Sequence, residues 1–293
     1  MTAPASHTLV TEPPVWLITG CSTGFGREIT RLAIERGFRT IITARDPASL
    51  ADFAAAENAL ILELDVTKPD QVAAAMRSAE ARFGGVDVLI NNAGIGYFGA
   101  VEESEEAEIR KMFEVNFFGT SRMIHAVLPG MRQRRRGVIV NFSSIGGLRS
   151  FPAVGYYNAT KFAVEGLSEA LWQEVEPLGI QVMVVEPSGF RTDWAGRSAN
   201  EATLEIADYV ATAGLWRAQV REISGKQAGD PVRAARSIVD AVESKKPPHH
   251  LLLGNAAFDG AMAKLEELRK DFAAAEVVAR SADFPDPKVV FLE

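Results

Sequence analysis

Between residues 15 and 185, short apolar runs rich in β-branched side chains alternate with amphipathic helical stretches, and this alternation constrains the fold of the 293-residue chain more than any other feature. Runs at 15–19, 39–44, 59–64, 86–90, 137–142 and 180–185 are predicted as strands, with helices between them, for example over 68–83, up to 128, and from 156 to 178. Strictly alternating strands and helices define an α/β class with a doubly wound parallel sheet. A further strand at 249–253 brings the count to about seven, with helices at 232–242 and 256–280. Ligands of such sheets bind outside the carboxyl ends of the strands. Gly20, Asp65, Asn91, Ser144 and Pro187 all fall at or just past those ends.

The first strand passes directly into Gly20-Cys21-Ser22-Thr23-Gly24-Phe25-Gly26, and a helix follows. Strand, glycine turn and helix form the setting in which backbone approaches a pyrophosphate and a helix N-terminus supplies N–H donors to it. A plain tight turn is the competing explanation. The second strand ends at Ala44, where dinucleotide-binding sheets place an acidic residue on the ribose 2′-hydroxyl, and Arg45 follows. An arginine there can fork onto a 2′-phosphate that a carboxylate would repel, which favours NADP(H), with NAD(H) possible. The alternative is a solvated helix-start arginine, and adjacent Asp46 keeps the cofactor choice open.

The stretch from Asn141 to Lys161 carries the chemistry. It holds a serine pair, Ser143 and Ser144, at a strand end, and then Tyr157 four residues before Lys161 at a helix start. Positions i and i+4 share a helix face, so the phenol and the ammonium point the same way. A nearby positive charge is expected to lower a phenol from its usual value near 10, suiting it to exchange a proton with an alcohol oxygen. The spacing alone occurs by chance on many helices, so its surroundings decide. Asn116, a weak helix former in mid-helix, suggests an interior polar role, with a solvent-facing side chain the alternative. The acidic run 102–108 reads as a solvated helix start favourable to the helix dipole, and the basic run 132–136 as a solvated turn. Residues 193–229 read as an irregular helical insertion with the character of a lid.

Composition excludes several classes. A net charge of −7 argues against nucleic acid or an anionic membrane as main partner. No apolar run approaches the length of a spanning helix, and no secretory leader is evident. The single cysteine, Cys21, fits a reducing, cytoplasmic setting without disulfides, and the four histidines show no metal-ligand spacing. A tail at 1–14, one domain over 15–280 and a C-terminal tail at 281–293 complete the expected organisation.

On these residues the chain resembles the short-chain dehydrogenase/reductase family. The matching motifs are Thr19-Gly20-x-x-x-Gly24-x-Gly26, Asp65-Val66, Asn91-Asn92-Ala93-Gly94, Asn116, Ser144, Tyr157-x-x-x-Lys161 and 187–192, in family order over about 15–195. The resemblance implies a single-domain Rossmann-type fold and an NAD(P)-dependent oxidoreductase, similar to steroid-, retinol- and carbonyl-reducing members. It implies Tyr157 as acid/base, and Lys161 lowering its pKa and holding the nicotinamide ribose. Ser144 would position the substrate oxygen, and Asn116 would hold a relay water. Gly20, Ser22, Thr23, Gly24, Phe25, Gly26, Val66, Ala93, Gly94 and Pro187 would line the cofactor. Asp65 would contact adenine, Asn92 would line the cofactor beside it, and Thr192 would reach the carboxamide or phosphates. Where the family has Pro-Gly, this chain has Pro187-Ser188-Gly189. A homodimer or homotetramer is also implied, through the helices at about 105–128 and 156–177. Hydride transfer between nicotinamide and a secondary alcohol, ketone or aldehyde is the expected activity. Ile95, Leu148, Phe151 and Trp194 are expected to face a moderately hydrophobic small-molecule substrate. A cofactor-sensing regulatory protein of the same fold is the alternative, though it would be free to lose Tyr157 or Lys161.

Overall fold

Strand β1 (Val15–Ile18) shows why this chain builds a sheet with two covered faces. All four of its residues are buried, Val15 and Leu17 in one apolar cluster and Trp16 and Ile18 in the other, as period-two alternation requires. The computed structural model describes residues 12–196 and 199–284. The tails expected at 1–14 and 281–293 therefore lie mostly outside the described residues. Those that are described at the amino end are tied down: the carbonyls of Pro13 and Pro14 accept from Arg39.

The further elements are α1 (Gly24–Glu35), β2 (Arg39–Ala44), β3 (Ala59–Glu63), α2 (Pro69–Phe83), β4 (Val88–Asn91), β5 (Gly96–Phe98), α3 (Glu106–Phe113), α4 (Thr120–Arg134) and β6 (Gly137–Phe142). After them come α5 (Gly155–Val175), β7 (Ile180–Pro187), β8 (Ala199–Glu201), α6 (Leu215–Glu222), α7 (Pro231–Glu243), β9 (His250–Leu253) and α8 (Asn255–Arg280). Seven strands form one sheet in the order β3-β2-β1-β4-β6-β7-β9, and every described pairing is parallel. This is the expected Rossmann-type doubly wound architecture. The order reverses between β1 and β4, which opens the crevice where such sheets bind ligand.

Helices α1 and α7 cover one face through Ile29, Ala33, Ile238 and Val239, while α2, α4 and α5 cover the other through Val72, Met123 and Leu171. Burying an aliphatic side chain of this size stabilises the fold by roughly 2 kcal/mol. Two features depart from the sequence expectation. The helix expected to run unbroken to 128 is interrupted by a π-helical turn, Glu114–Gly119, which carries Asn116. A second, two-stranded parallel sheet joins β5 to β8, pairing Gly96 with Ala199 and Phe98 with Glu201. Three-residue strands lie below what periodicity can detect.

Candidate active site

The glycine turn is built by close packing. Gly20 and Gly24 have φ of +70° and +59°, a region that side chains disfavour. Gly26 adopts an ordinary helical conformation but has no room: a β-carbon there would lie 2.4 Å from both the Gly20 carbonyl oxygen and the Asn92 amide nitrogen. The Asn92 amide donates to the carbonyls of Thr19 and Gly20, both at 2.9 Å. Buried Thr19 in turn accepts through Oγ1 from the backbone N–H groups of Asn92 and Ala93. The expectation that Asn92 lines the cofactor is thus refined: its amide is engaged in holding the turn. Phe25 packs its half-buried ring against Phe142 and Phe190. Helix α1 opens at Gly24 without a side-chain cap, so its first N–H groups stay available to an anion, beside Ser22 and Thr23. The Thr192 side chain closes over Gly24, 3.2 Å from where a β-carbon would stand.

At the end of β2, Asp46 and Arg45 have different fates. The Asp46 carboxylate accepts from Ala48 N at 3.0 Å and caps a short helical turn. Arg45 is exposed, and among the described residues its guanidinium has no hydrogen-bond or ion-pair partner. Asp65 follows β3 and accepts from Thr67 N and Oγ1. Buried Val66 lies where a β-carbon on Gly119 would meet it at 2.5 Å, and its carbonyl accepts from Arg122.

Past β4 and β6, Asn116, Ser144, Tyr157 and Lys161 converge. Asn116 is buried, so its side chain faces the interior and not solvent. Its Oδ1 accepts from Ile95 N at 2.9 Å, and its Nδ2 donates to Ile95 O and Thr160 Oγ1. The π turn swings this side chain out of the regular helical ladder. Gly94 lies between Asn116 Oδ1 and Lys161 Nζ, 3.4 and 3.8 Å from its would-be β-carbon. Ser144 accepts from Gly146 N at 3.0 Å and donates weakly to Pro187 O at 3.5 Å. Lys161 Nζ donates to Phe142 O at 2.8 Å and lies 5.6 Å from the Tyr157 ring centre.

One electrostatic expectation is overturned. Burial pushes the Tyr157 phenol up to about 12, with Ser144 pulling the other way, instead of Lys161 drawing it down. The ammonium is aimed at a carbonyl, and burial lowers Lys161 itself to about 8, opposed by Glu165. Tyr157 is therefore a neutral phenol at pH 7, a proton donor already in place. The Pro187-Ser188 departure also finds its reason. Ser188 N and Oγ both donate to Leu253 O, at 3.0 and 3.3 Å, so the serine stitches β7 to β9.

Beneath Lys161 lies a cluster that sequence spacing did not reveal, because its members come from α5, β7 and β9. Glu165, Glu186 and His250 bring one ligand-type atom each within 4.8 Å of one another, and His250 Nδ1 lies 2.6 Å from Glu186 Oε1. Both Glu165 oxygens and the Ser143 hydroxyl are buried without a hydrogen-bond partner among the described residues. His250 pairs with Glu186 and is raised by that contact, while burial favours the protonated form of Glu165. Burial pushes Glu165 up to about 7, and Glu186 is raised for the same reason. A raised carboxyl stabilises the fold fully below the unfolded value of 4.5 and loses that contribution as pH rises through about 7. Wild-type protein is thus expected to melt lower at pH 8.5 than at pH 6. Glu165→Gln should narrow the gap by about 1.4 kcal/mol, read by thermal denaturation at both pH values. An unchanged gap refutes the assignment.

Trp194 packs on Tyr157 at 4.9 Å and edge-on to Phe98 at 5.5 Å. Phe151 stacks on Trp216, which α6 contributes, and Leu148 lies beside it in a cluster with Ile145 and Ala257. Ile95 packs with Tyr97 and Tyr157. Ile95, Phe151 and Trp194 thus pack in clusters with Tyr157, where Trp216 joins them, while Leu148 reaches that group only through Phe151. The acidic run corrects the sequence reading. Glu103 is buried and accepts from Ala100 N and Ile206 N, Glu105 from Thr203, and Glu102 from Tyr209 Oη. These carboxylates latch the 193–229 insertion to the body, and hydrogen bonding holds Glu103 and Glu105 below the usual range.

A cradle that a single β-carbon would fill, an uncapped helix N-terminus beside it, and a half-buried phenol and serine next to a buried lysine past the strand ends define an NAD(P)-dependent oxidoreductase. A bound nicotinamide cofactor supplies or accepts the hydride there. The glycine turn and the uncapped start of α1 offer backbone N–H groups to its phosphates. The short chain dehydrogenase family model matches residues 14–203, and the chain belongs to that family. It is 38% identical over 244 residues to a 3-ketodihydrosphingosine reductase of Bacteroides thetaiotaomicron, covering 83% of this chain and 88% of that one. The crystal structure of a short-chain dehydrogenase from Streptomyces avermitilis superposes with a TM-score of 0.86 at 41% identity, covering 93% of this chain and all of that one. An alcohol dehydrogenase from Thermococcus sibiricus, complexed with 5-hydroxy-NADP, gives 0.69 at 26% identity, covering 83% of this chain and 96% of that one.

Proposed function

We propose that the chain is an NADP(H)-preferring reductase that converts the carbonyl of a moderately hydrophobic ketone or aldehyde to an alcohol, and runs the reverse reaction when phenolate is available. The carrying observation is a neutral Tyr157 phenol poised between Ser144 and an aromatic wall of Trp194, Phe151 and Trp216. Ser144 positions the substrate oxygen, Tyr157 gives it a proton, and Lys161 and Asn116 bring the next proton toward Tyr157. Asp65, Val66, Ala93, Gly94, Pro187 and Thr192 line the cofactor. The insertion, latched at Glu103, serves as the lid over the substrate. The relatives' printed reductase and alcohol dehydrogenase activities support a CH–OH/C=O reaction.

The 2′-phosphate preference rests on Arg45 being unpartnered while Asp46 is engaged as a cap. A charge-assisted hydrogen bond of this kind contributes about 1.5–3 kcal/mol, or roughly ten- to a hundredfold in affinity. Fluorescence titration is expected to show NADPH binding tighter than NADH by about that factor. Arg45→Ala should remove the difference while sparing NADH. Equal binding in the wild type defeats the assignment. Exposed Phe118 and Phe162, beside α4 and on α5, support a homodimer or homotetramer through those helices. A cytoplasmic location is part of the same reading, supported by the single, buried cysteine. Among the described residues no helix is long and apolar enough to cross a membrane.

A further inference from the structure

Helix α8 has 26 residues and so spans about 39 Å, yet only Ala257 and Ala261 on it are buried. From Arg269 to Phe284 every residue is exposed. Leu265 is 60% exposed and Phe272 68%. An isolated helix of this kind draws little stability from its own backbone, and most helices are held by packing an apolar face. Leu265, Leu268, Phe272 and Ala275 recur at spacings of three and four, the seam of a two-helix coiled coil. We propose that this seam docks, antiparallel and two-fold, against α8 of a second copy of the chain.

Charge chooses both the occupant and the direction. The seam is flanked by Lys264 and Asp271 on one side and by Arg269 and Glu276 on the other. A two-fold axis at residue 270 sets Leu265 against Ala275 of the second copy and Leu268 against its Phe272. The same axis brings Lys264 toward Asp271 of the second copy, and Arg269 toward its Glu276, each pair formed twice, against one like pair at the axis on each flank (Asp271 with Asp271, Arg269 with Arg269), so opposite-charge pairs outnumber like ones. Parallel pairing would instead bring Lys264 to Arg269 and Asp271 to Glu276, like charges on both flanks. Pairs within the helix, such as Arg269 with Glu266 at 2.9 Å, are exposed and leave these charges available to a partner. With four basic residues against five acidic ones, α8 has no cationic face to draw it onto an anionic bilayer.

The test uses the full chain. Sedimentation velocity is expected to show that Leu265→Glu/Phe272→Glu loses one association step, with mass halved and turnover unchanged. Cys21 is buried, so single engineered cysteines report alone. A short bis-maleimide should couple Asp271→Cys, which lies at the axis. It should not couple Leu265→Cys, whose two copies stand about 15 Å apart along the antiparallel pair. The proposal is overturned by an unchanged mass in the double variant, or by equal coupling at both positions. Binding of wild type to anionic phosphatidylserine vesicles that the double variant loses at unchanged mass would assign the face to a membrane and overturn it too.

Discussion

Replacing Tyr157 by Phe is expected to lower turnover by about a thousandfold while leaving NADPH affinity within twofold of wild type, since a positioned proton donor contributes roughly 10²–10⁴. The ring itself packs on Trp194, and Phe preserves that contact, so the loss isolates the hydroxyl. The phenol is held near 12 and Lys161 near 8, which places the descending limb of the reduction rate on the lysine. Reduction should be level below pH 7 and fall as pH rises through about 8. Steady-state rates with a carbonyl substrate, together with fluorescence titration of the variant, decide the matter. Turnover above a tenth of wild type would remove Tyr157 from its role.

Gly26→Ala is the second large effect. The added carbon would stand 2.4 Å from the Gly20 carbonyl and the Asn92 amide, and one of these contacts is with backbone that cannot rotate aside. Overpacking of this kind costs roughly 1–3 kcal/mol. The displaced turn should also weaken cofactor binding by more than about tenfold. Gly37→Ala is the matched control: its φ is +78°, but nothing lies within 4 Å of its would-be β-carbon. That variant should lose about 1 kcal/mol through strain and keep its cofactor affinity. Equal affinity losses in the two variants would separate the effect from the cradle.

The residues legible in the sequence were those whose chemistry is local. A glycine turn between strand and helix, and a tyrosine one helical turn before a lysine, declare themselves by spacing. What escaped was set by partners far along the chain. Glu103 and Glu105 look like helix-start charges until the insertion a hundred residues later comes to rest on them. The shift at Tyr157 depends on burial, and no run of letters states how deeply a phenol is enclosed. Glu165, Glu186 and His250 meet only because β7 and β9 are neighbours. Asn116 was suspicious as a poor helix former, and the π turn explains how its side chain reaches Ile95.

The brace between Asn92 and the Thr19–Gly20 carbonyls spans more than seventy residues. A chain that ends before β4 carries the whole glycine motif, held by the Cys21 N–H bond to Thr43 O but without the Asn92 brace. The turn as it stands is therefore completed only where β4 docks beside β1.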